Sequence, residues 1–558
     1  MSWRISKLFL NSLSRYFHTL RYLKLQQIYR RVWFRVSKPL IDGSPAPAIR
    51  NQFVAFHSPA RRRASLLDAD TFSFLNQSGA LSALGWVSVG KADSVSKLWR
   101  YNQHYFDDLN AVSAVERGEW HLALLQRWVV ENLPGAGVGW DPYPTSLRIV
   151  NWVKWQSAGN VLPDVCVQSL AVQARWLTQR IEWHILGNHL FANVKALIFA
   201  GVFFSGGEAD RWLREGLKIV ANQLPEQALA DGGNFERSPM YHAIFLEDLL
   251  DLLNLAQAFP ETVPETHVAH WREAAQRMLY WLQGMTHPDG EIAFFNDAAI
   301  GIAPSPAELT AYASRLGLQA HPVDARITHF PDSGYVRLAS RDAVVLLDVA
   351  PVGPDYLPGH AHADTLSFEL SLLGQRIFVN GGASEYGTSA VRNFERSTAA
   401  HNAVVVNDEN SSEVWGGFRV ARRAYPGDLR VEKQSDSVTV TCSHDGYRRL
   451  PGKPVHRRTW QFSESSLIVS DEVDGRFDHA IAYFHVHPSV TVSRVDTAGW
   501  LLQLSQGQKV LVNVEVGVPQ WSPSHHAPEF GMRLETQCLK VVLDKKGARV
   551  RINWSSVE

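Results

Sequence analysis

The chain has 558 residues, with 55 Lys and Arg against 55 Asp and Glu and therefore no formal net charge. That length is too great for one ordinary core, so two or three domains are expected. The charge balance gives no overall field toward nucleic acid or an acidic membrane, so no nucleic-acid partner is expected. Cys166, Cys442 and Cys538 are widely spaced and form no disulfide framework.

Residues 1–95 read as a basic helical extension. Arg4, Lys7, Arg15, Arg21, Lys24, Arg30, Arg31 and Arg35 stud an amphipathic pattern, followed by a Pro- and Arg-bearing connection. The pattern suits a pair of surface helices packed on the body, with membrane-surface association as the second reading. It has no apolar run of signal-peptide length, which favours the cytoplasm. No stretch of 18 apolar residues occurs, so no membrane span is expected.

From 96 to 325 the hydrophobic period is helical. His121–Glu131, Leu147–Gln156, Val165–Ile181, Leu190–Phe204, Arg211–Ala221, Tyr241–Phe259 and Trp271–Met285 repeat apolar residues at three- and four-residue spacing. Helices joined by Gly- and Pro-rich loops suggest a toroid or solenoid of hairpins. From 326 to 558 the period shortens. Short strands such as Val344–Val349, Thr365–Leu373, Val438–Thr441 and Val510–Val516, with no helices between them, predict an antiparallel sandwich.

Three polar clusters stand out. Asn188 and His189 open the helix through Leu190, Val194 and Leu197. Asn188 suits an N-cap, yet an Asn-His pair at a helix N-terminus could also hold a carboxylate. In the loop Asp231–His242, Ser238 suits the N-cap and Pro239 the first helical position, which puts Tyr241 in the first turn. Tyr241 serves packing or chemistry, and Glu236 with Arg237 reads as an ion pair. His360 and His362, two apart before the alternating Leu366, Phe368, Leu370 and Leu372, point to one side at the mouth of a sheet. They read as a polar pair, a base or metal ligands, and His401 as a turn cap or a ligand. His362 and His401 supply two nitrogens, and Asn380, on the returning strand, offers a neutral, weaker third donor.

Taken together, GNHLFANVKAL (187–197), DGGNFERSPMYH (231–242), PGHAHADTLSFELSLLGQRIFVNGG (358–382), RSTAAHNAVVVND (396–408) and HDGYRRLPGKPVHRR (444–458) resemble the heparinase II/III-like polysaccharide lyase superfamily. The resemblance covers residues 100 to 460. It implies an α+β multidomain chain, an incomplete (α/α) toroid followed by an antiparallel β-sandwich, that cleaves an acidic, uronate-containing polysaccharide by β-elimination between the two. On that resemblance Asn188 and His189 bind the uronate carboxylate, and Tyr241 and His360 are the catalytic pair. Glu236 and Arg237 lie in the substrate-binding motif. His362, Asn380 and His401 correspond to a structural zinc triad, with Asn380 where the family usually has Asp. No organic cofactor is implied. The basic N-terminal helices resemble members encoded among bacterial surface-polysaccharide genes, and the family analogy points to the cell envelope.

Two other functions compete. A toroid glycoside hydrolase needs two carboxylates flanking the bond, for which Glu236 and Asp297 are the candidates. A catalytically silent glycan-binding or assembly protein would keep the fold alone.

Overall fold

The computed structural model describes residues 13–87, 94–323, 325–545 and 547–554; Arg4 and Lys7 lie outside them. Residues 13–20 and Leu25–Val36 are helical. The rest of the extension differs from the helical expectation. Residues 38–66 run without helix across the toroid, held by Ala46 N–H to Gln168 Oε1 at 2.8 Å and Arg50 N–H to the Phe203 carbonyl at 2.8 Å. A hairpin of Thr71–Phe74 and Gln77–Ala80 follows and buries Phe72 in the helical core.

The helices Gly118–Glu131, Pro142–Ser157, Asp164–Gln179, Gly187–Phe203, Gly207–Gln227, Pro239–Ala258, Glu265–Gly284 and Pro306–Arg315 form the helical layer. Gly187–Phe203 and Pro239–Ala258 are buried almost all round, so they read as apolar on every face and sit at its centre. Their few charges meet inside the layer. Lys195 Nζ lies 2.7 Å from both Asp248 and Asp251, Lys154 Nζ lies 3.0 Å from Asp251, and the Tyr312 hydroxyl donates to Asp251 at 2.9 Å. The carboxylates hold the Lys195 ammonium charged against the cost of burial.

The long helices end at Arg315 and the strands of the second half begin at Ile327, with a short α-helix, Ala390–Glu395, among them. Three antiparallel sheets follow, with a two-stranded pair of Val414–Trp415 and Arg419–Val420 beside them. Five strands, Ile327–Phe330, Tyr335–Ala339, Ala343–Asp348, Phe368–Leu372 and Gln375–Phe378, pair in chain order. Their last edge joins a four-stranded sheet through the Phe378–Val486 bridge. This combined layer packs on an eight-stranded sheet, with Phe368, Phe378 and Phe484 on one side of the core and Trp460, Phe462 and Val512 on the other. The outer face of the five-stranded sheet is also covered. Val344 and Leu346 pack with Tyr335, Trp281, Met285 and Phe295, which closes the two halves on each other. That is why Ala343–Asp348 is buried at every position instead of alternating.

The Lys154–Lys195–Asp248–Asp251 cluster should be a single point of failure. Asp251→Ala leaves two buried ammonium groups facing one carboxylate, and urea denaturation should show a loss of about 3–5 kcal/mol. A loss below about 1 kcal/mol would mean that the cluster does not hold the helical layer together.

Candidate active site

The polar clusters meet in the seam between the halves. Ser238 caps the helix Pro239–Ala258, its hydroxyl accepting from the Tyr241 N–H at 3.2 Å, and Pro239 takes the first helical position. This sets Tyr241 in the first turn. Its ring stacks on His360 from the β half, with centroids 3.8 Å apart and planes inclined by 30°. The Tyr241 and Tyr386 hydroxyls lie 2.9 Å apart. Burial, then Tyr386 and Asp297, hold the Tyr241 phenol well above its ordinary range, so it keeps its proton.

His360 and His362 do not sit on an extended segment. Residues 359–360 and 365–366 are turns, Leu366 has φ +66°, and the strand starts only at Phe368. The two rings converge because both meet Asp297, which is fully buried. Its Oδ2 lies 3.0 Å from His360 Nδ1 and its Oδ1 2.8 Å from His362 Nε2. Arg392 grips both oxygens, with Nη2 2.7 Å from Oδ2 and Nη1 on Oδ1. Burial opposes ionisation of Asp297, but Arg392 and the imidazoles outweigh it and hold the carboxyl well below the usual range. The carboxylate fixes the proton of His360 on Nδ1 and leaves Nε2 as the basic nitrogen. The nearest carboxylate oxygen to Nε2 is Glu236 Oε2 at 3.7 Å, too far for a hydrogen bond.

Glu236 links this pair to the third cluster. Its Oε1 accepts from the Asn188 N–H at 3.4 Å, and burial raises its carboxyl above the ordinary value. Asn188 is not the N-cap. The helix Gly187–Phe203 starts from Leu186, which has φ +69°, so Asn188 lies in the first turn, and its side-chain amide has no hydrogen-bond partner among the described residues. Gly187 has φ +54°, and a Cβ there would stand 2.5 Å from Leu357 and 3.0 Å from Glu236. His189 Nδ1 lies 3.1 Å from Glu182 Oε2, and its ring is 4.5 Å from that of Tyr143. Burial lowers the imidazole, but Glu182 outweighs it and raises His189 above its ordinary value, toward the cation. An unpartnered amide and an imidazole that Glu182 biases toward the cation, at a helix N-terminus, suit a carboxylate ligand.

The ion pair expected between Glu236 and Arg237 is absent among the described residues. Arg237 has φ +57° and its guanidinium turns to the carbonyls of Ser333 and Pro351 at 3.0 and 3.2 Å, joining helical and β halves.

His362 and His401 meet with Nδ1 and Nε2 3.1 Å apart. Their outer nitrogens carry the protons, because His362 Nε2 faces Asp297 and His401 Nδ1 lies 2.7 Å from the Ser397 carbonyl. Two lone pairs therefore converge, a donor pair that fits a cation. Asn380 is turned elsewhere: its carbonyl accepts from the Asn402 N–H at 3.0 Å and its amide donates to Ser367 Oγ at 3.2 Å. Among the described residues no three His, Cys, Asp or Glu side chains gather as a metal cluster.

Glu182, Tyr386 and Arg392 were missing from the sequence-derived set. Glu182 precedes the Asn188-His189 pair by one turn and a loop, and nothing in its neighbours marks it. Arg392 is buried on a short helix, Ala390–Glu395, where an isolated Arg reads as surface.

A helical layer, a β-sandwich stacked on it and a Tyr–His pair clamped in the seam define a two-part scaffold with a buried polar site between its parts. The chain belongs to the heparinase II/III-like superfamily: the model of the heparinase II/III N-terminus matches residues 160–314, and that of the heparinase II/III-like C-terminal region matches 322–555. A heparin-sulfate lyase of Bacteroides stercoris is 26% identical over 351 residues, 58% of this chain and 49% of its own length. One from Bacteroides thetaiotaomicron is 23% identical over 417 residues, 64% of this chain and 56% of its own. The chain thus spans about half the length of these relatives. In fold, a crystal structure of heparinase III matches with TM-score 0.68 at 18% identity, covering 84% of this chain and 80% of that one. A heparan sulfate lyase from Pedobacter heparinus matches with TM-score 0.58 at 17% identity, covering 95% and 88%.

The Glu182 effect is directly measurable. Glu182→Gln removes the charge that raises His189, so the imidazolium should lose its proton at a lower pH than in the unmodified protein. Histidine NMR titration should show this as an acid-ward shift, and an unshifted His189 would remove Glu182 from that role.

Proposed function

We propose that the protein is a polysaccharide lyase that cleaves a uronate-containing acidic glycan by β-elimination in the seam. The observation that carries this reading is the Tyr241–His360 stack, reached through Glu236 from the Asn188-His189 helix terminus. Family membership and the heparin-sulfate lyase relatives support the reaction class.

The hydrogen at C5 of a uronate is weakly acidic, and elimination needs the adjacent carboxylate neutralised so that the enolate-like state is stabilised. Asn188 donates a hydrogen bond to that carboxylate and His189 supplies positive charge. His360 Nε2 takes the C5 proton, with the imidazolium then stabilised through Nδ1–H by Asp297. Tyr241, still protonated, gives its proton to O4 as the C4–O4 bond breaks and the C4=C5 bond forms. Proton and electron pair are thus both accounted for by side chains of this chain. A hydrolase needs a second free carboxylate, and both Asp297 oxygens are held by Arg392 and the two histidines.

A divalent cation such as zinc, held by His362 and His401, is part of the proposal as a structural element. It would brace the loops that carry His360 and Asn402, and no step passes through it.

A new C4=C5 bond conjugated with the carboxylate absorbs in the ultraviolet, and hydrolysis makes none. Screening uronate glycans by absorbance should therefore find an active substrate. Reducing ends released without absorbance would sink elimination. Tyr241→Phe keeps the stack but removes the transferable proton, so turnover should fall by about 10² or more with the fold intact. His401→Ala should lower the metal content of purified protein measured by elemental analysis; a wild-type preparation without metal would dismiss the cation.

A further inference from the structure

The N-terminal helices present an apolar face that the body does not cover. In the helix Leu25–Val36, Leu25, Ile28, Tyr29, Val32, Trp33 and Val36 recur at three- and four-residue spacing and are 49% to 81% exposed. At 100° per residue they fill one continuous arc. The opposite side faces the protein: Gln27 is buried and donates to the Tyr356 carbonyl at 3.1 Å, and Arg180 lies 3.5 Å from the Phe34 ring centroid. The preceding helical residues 13–20 repeat the pattern, with Leu13, Phe17 and Leu20 more than half exposed. This is an amphipathic arm docked by its polar side, the reverse of a helix packed on a core.

The charge around the face is one-signed. The first 41 residues hold nine Lys and Arg and no Asp or Glu, although the whole chain is neutral. Arg31 and Arg35 flank the apolar arc, both exposed, and neither has a carboxylate partner among the described residues. Trp33, Tyr16 and Tyr29 add the amphipathic rings that suit a water–hydrocarbon boundary. No helix among the described residues is long and apolar enough to cross a membrane. An isologous dimer through this face would set the same cations against each other with no acidic residue to pair them.

We propose that this arm is a peripheral binding site for an anionic lipid surface, inserting Leu25, Ile28, Val32, Trp33 and Val36 while Arg31 and Arg35 meet the headgroups. The arm is fixed to the catalytic body. Lys24 Nζ lies 2.6 Å from Glu226, Tyr16 packs edge-on against Trp415, and Arg423 stacks on Tyr22 at 3.9 Å. Trp415 and Arg423 bracket Phe418, whose ring lies 6.2 Å from that of His360. Binding would therefore seat the seam beside the lipid. This inference does not depend on the lyase reading.

The test is co-sedimentation of the full chain with vesicles of phosphatidylcholine containing about a third phosphatidylglycerol, against phosphatidylcholine alone. Binding should favour the anionic vesicles and weaken as salt is raised. Ile28→Asp with Val32→Asp should weaken it about tenfold or more, as should Arg31→Glu with Arg35→Glu. All four positions are exposed, so circular dichroism and the melting temperature should stay unchanged in both variants. Wild-type protein that stays in the supernatant with anionic vesicles at low salt would overturn the proposal. So would binding that survives both double variants, or a solution dimer that Ile28→Asp with Val32→Asp disperses while no vesicle binding is seen.

Discussion

Everything in the seam depends on how one buried carboxylate is satisfied. Asp297 comes from the loop between the helices Glu265–Gly284 and Pro306–Arg315, and the four hydrogen bonds to its carboxylate come from His360, His362 and both arms of Arg392. A carboxylate buried this deeply is tolerated only when fully paired. That requirement fixes the three β-half residues relative to the helical half. It also assigns both histidine tautomers, so the same contact that holds the halves together leaves one basic nitrogen on the side of Glu236 and another facing His401.

The backbone around this joint is strained in a consistent way. Leu186, Arg237, Asn296 and Leu366 all adopt φ between +57° and +69°. Such conformations persist when surrounding contacts over-determine them. Asn296 shows how: its N–H meets Asp364 at 2.8 Å, its amide donates to the Arg237 carbonyl at 2.9 Å and its oxygen accepts from the His362 N–H at 3.0 Å. Behind the histidine loops, Arg458 donates to the Leu366 carbonyl at 2.8 Å and to that of Asn402, while Asp471 pairs its other side. The β-sandwich thus acts as a brace for two loops whose geometry no local sequence preference would hold.

The physical division of labour is clear. In the proposed mechanism the helical half supplies charge recognition at one helix terminus and a proton donor at another. The β half supplies the histidine, and its outer sheet face buries Val344 and Leu346 against Trp281 and Phe295 to keep the parts in register. A basic arm outside both parts carries a surface chemistry of its own.

How much of this was legible depended on whether a residue's neighbours were local. The helices with regular apolar spacing stood where the period placed them, and Ser238-Pro239 marked a helix start because capping is decided within four residues. Strand Val455–Ser463 escaped notice because its inward positions include His456 and Arg458 beside Trp460 and Phe462, which breaks the apolar alternation. The strand after His362 was placed too early because Leu366 alternates correctly in sequence but turns away in φ. Asn188, His189, Tyr241, His360 and His362 were visible as chemistry-bearing types in ordered motifs. Their convergence, the contacts of Glu182 with His189 and the clamping of Asp297 by Arg392 and two histidines were decided by tertiary structure alone. Those are matters of which buried charge faces which, across separations of up to about a hundred residues, and such pairings leave no period in the chain.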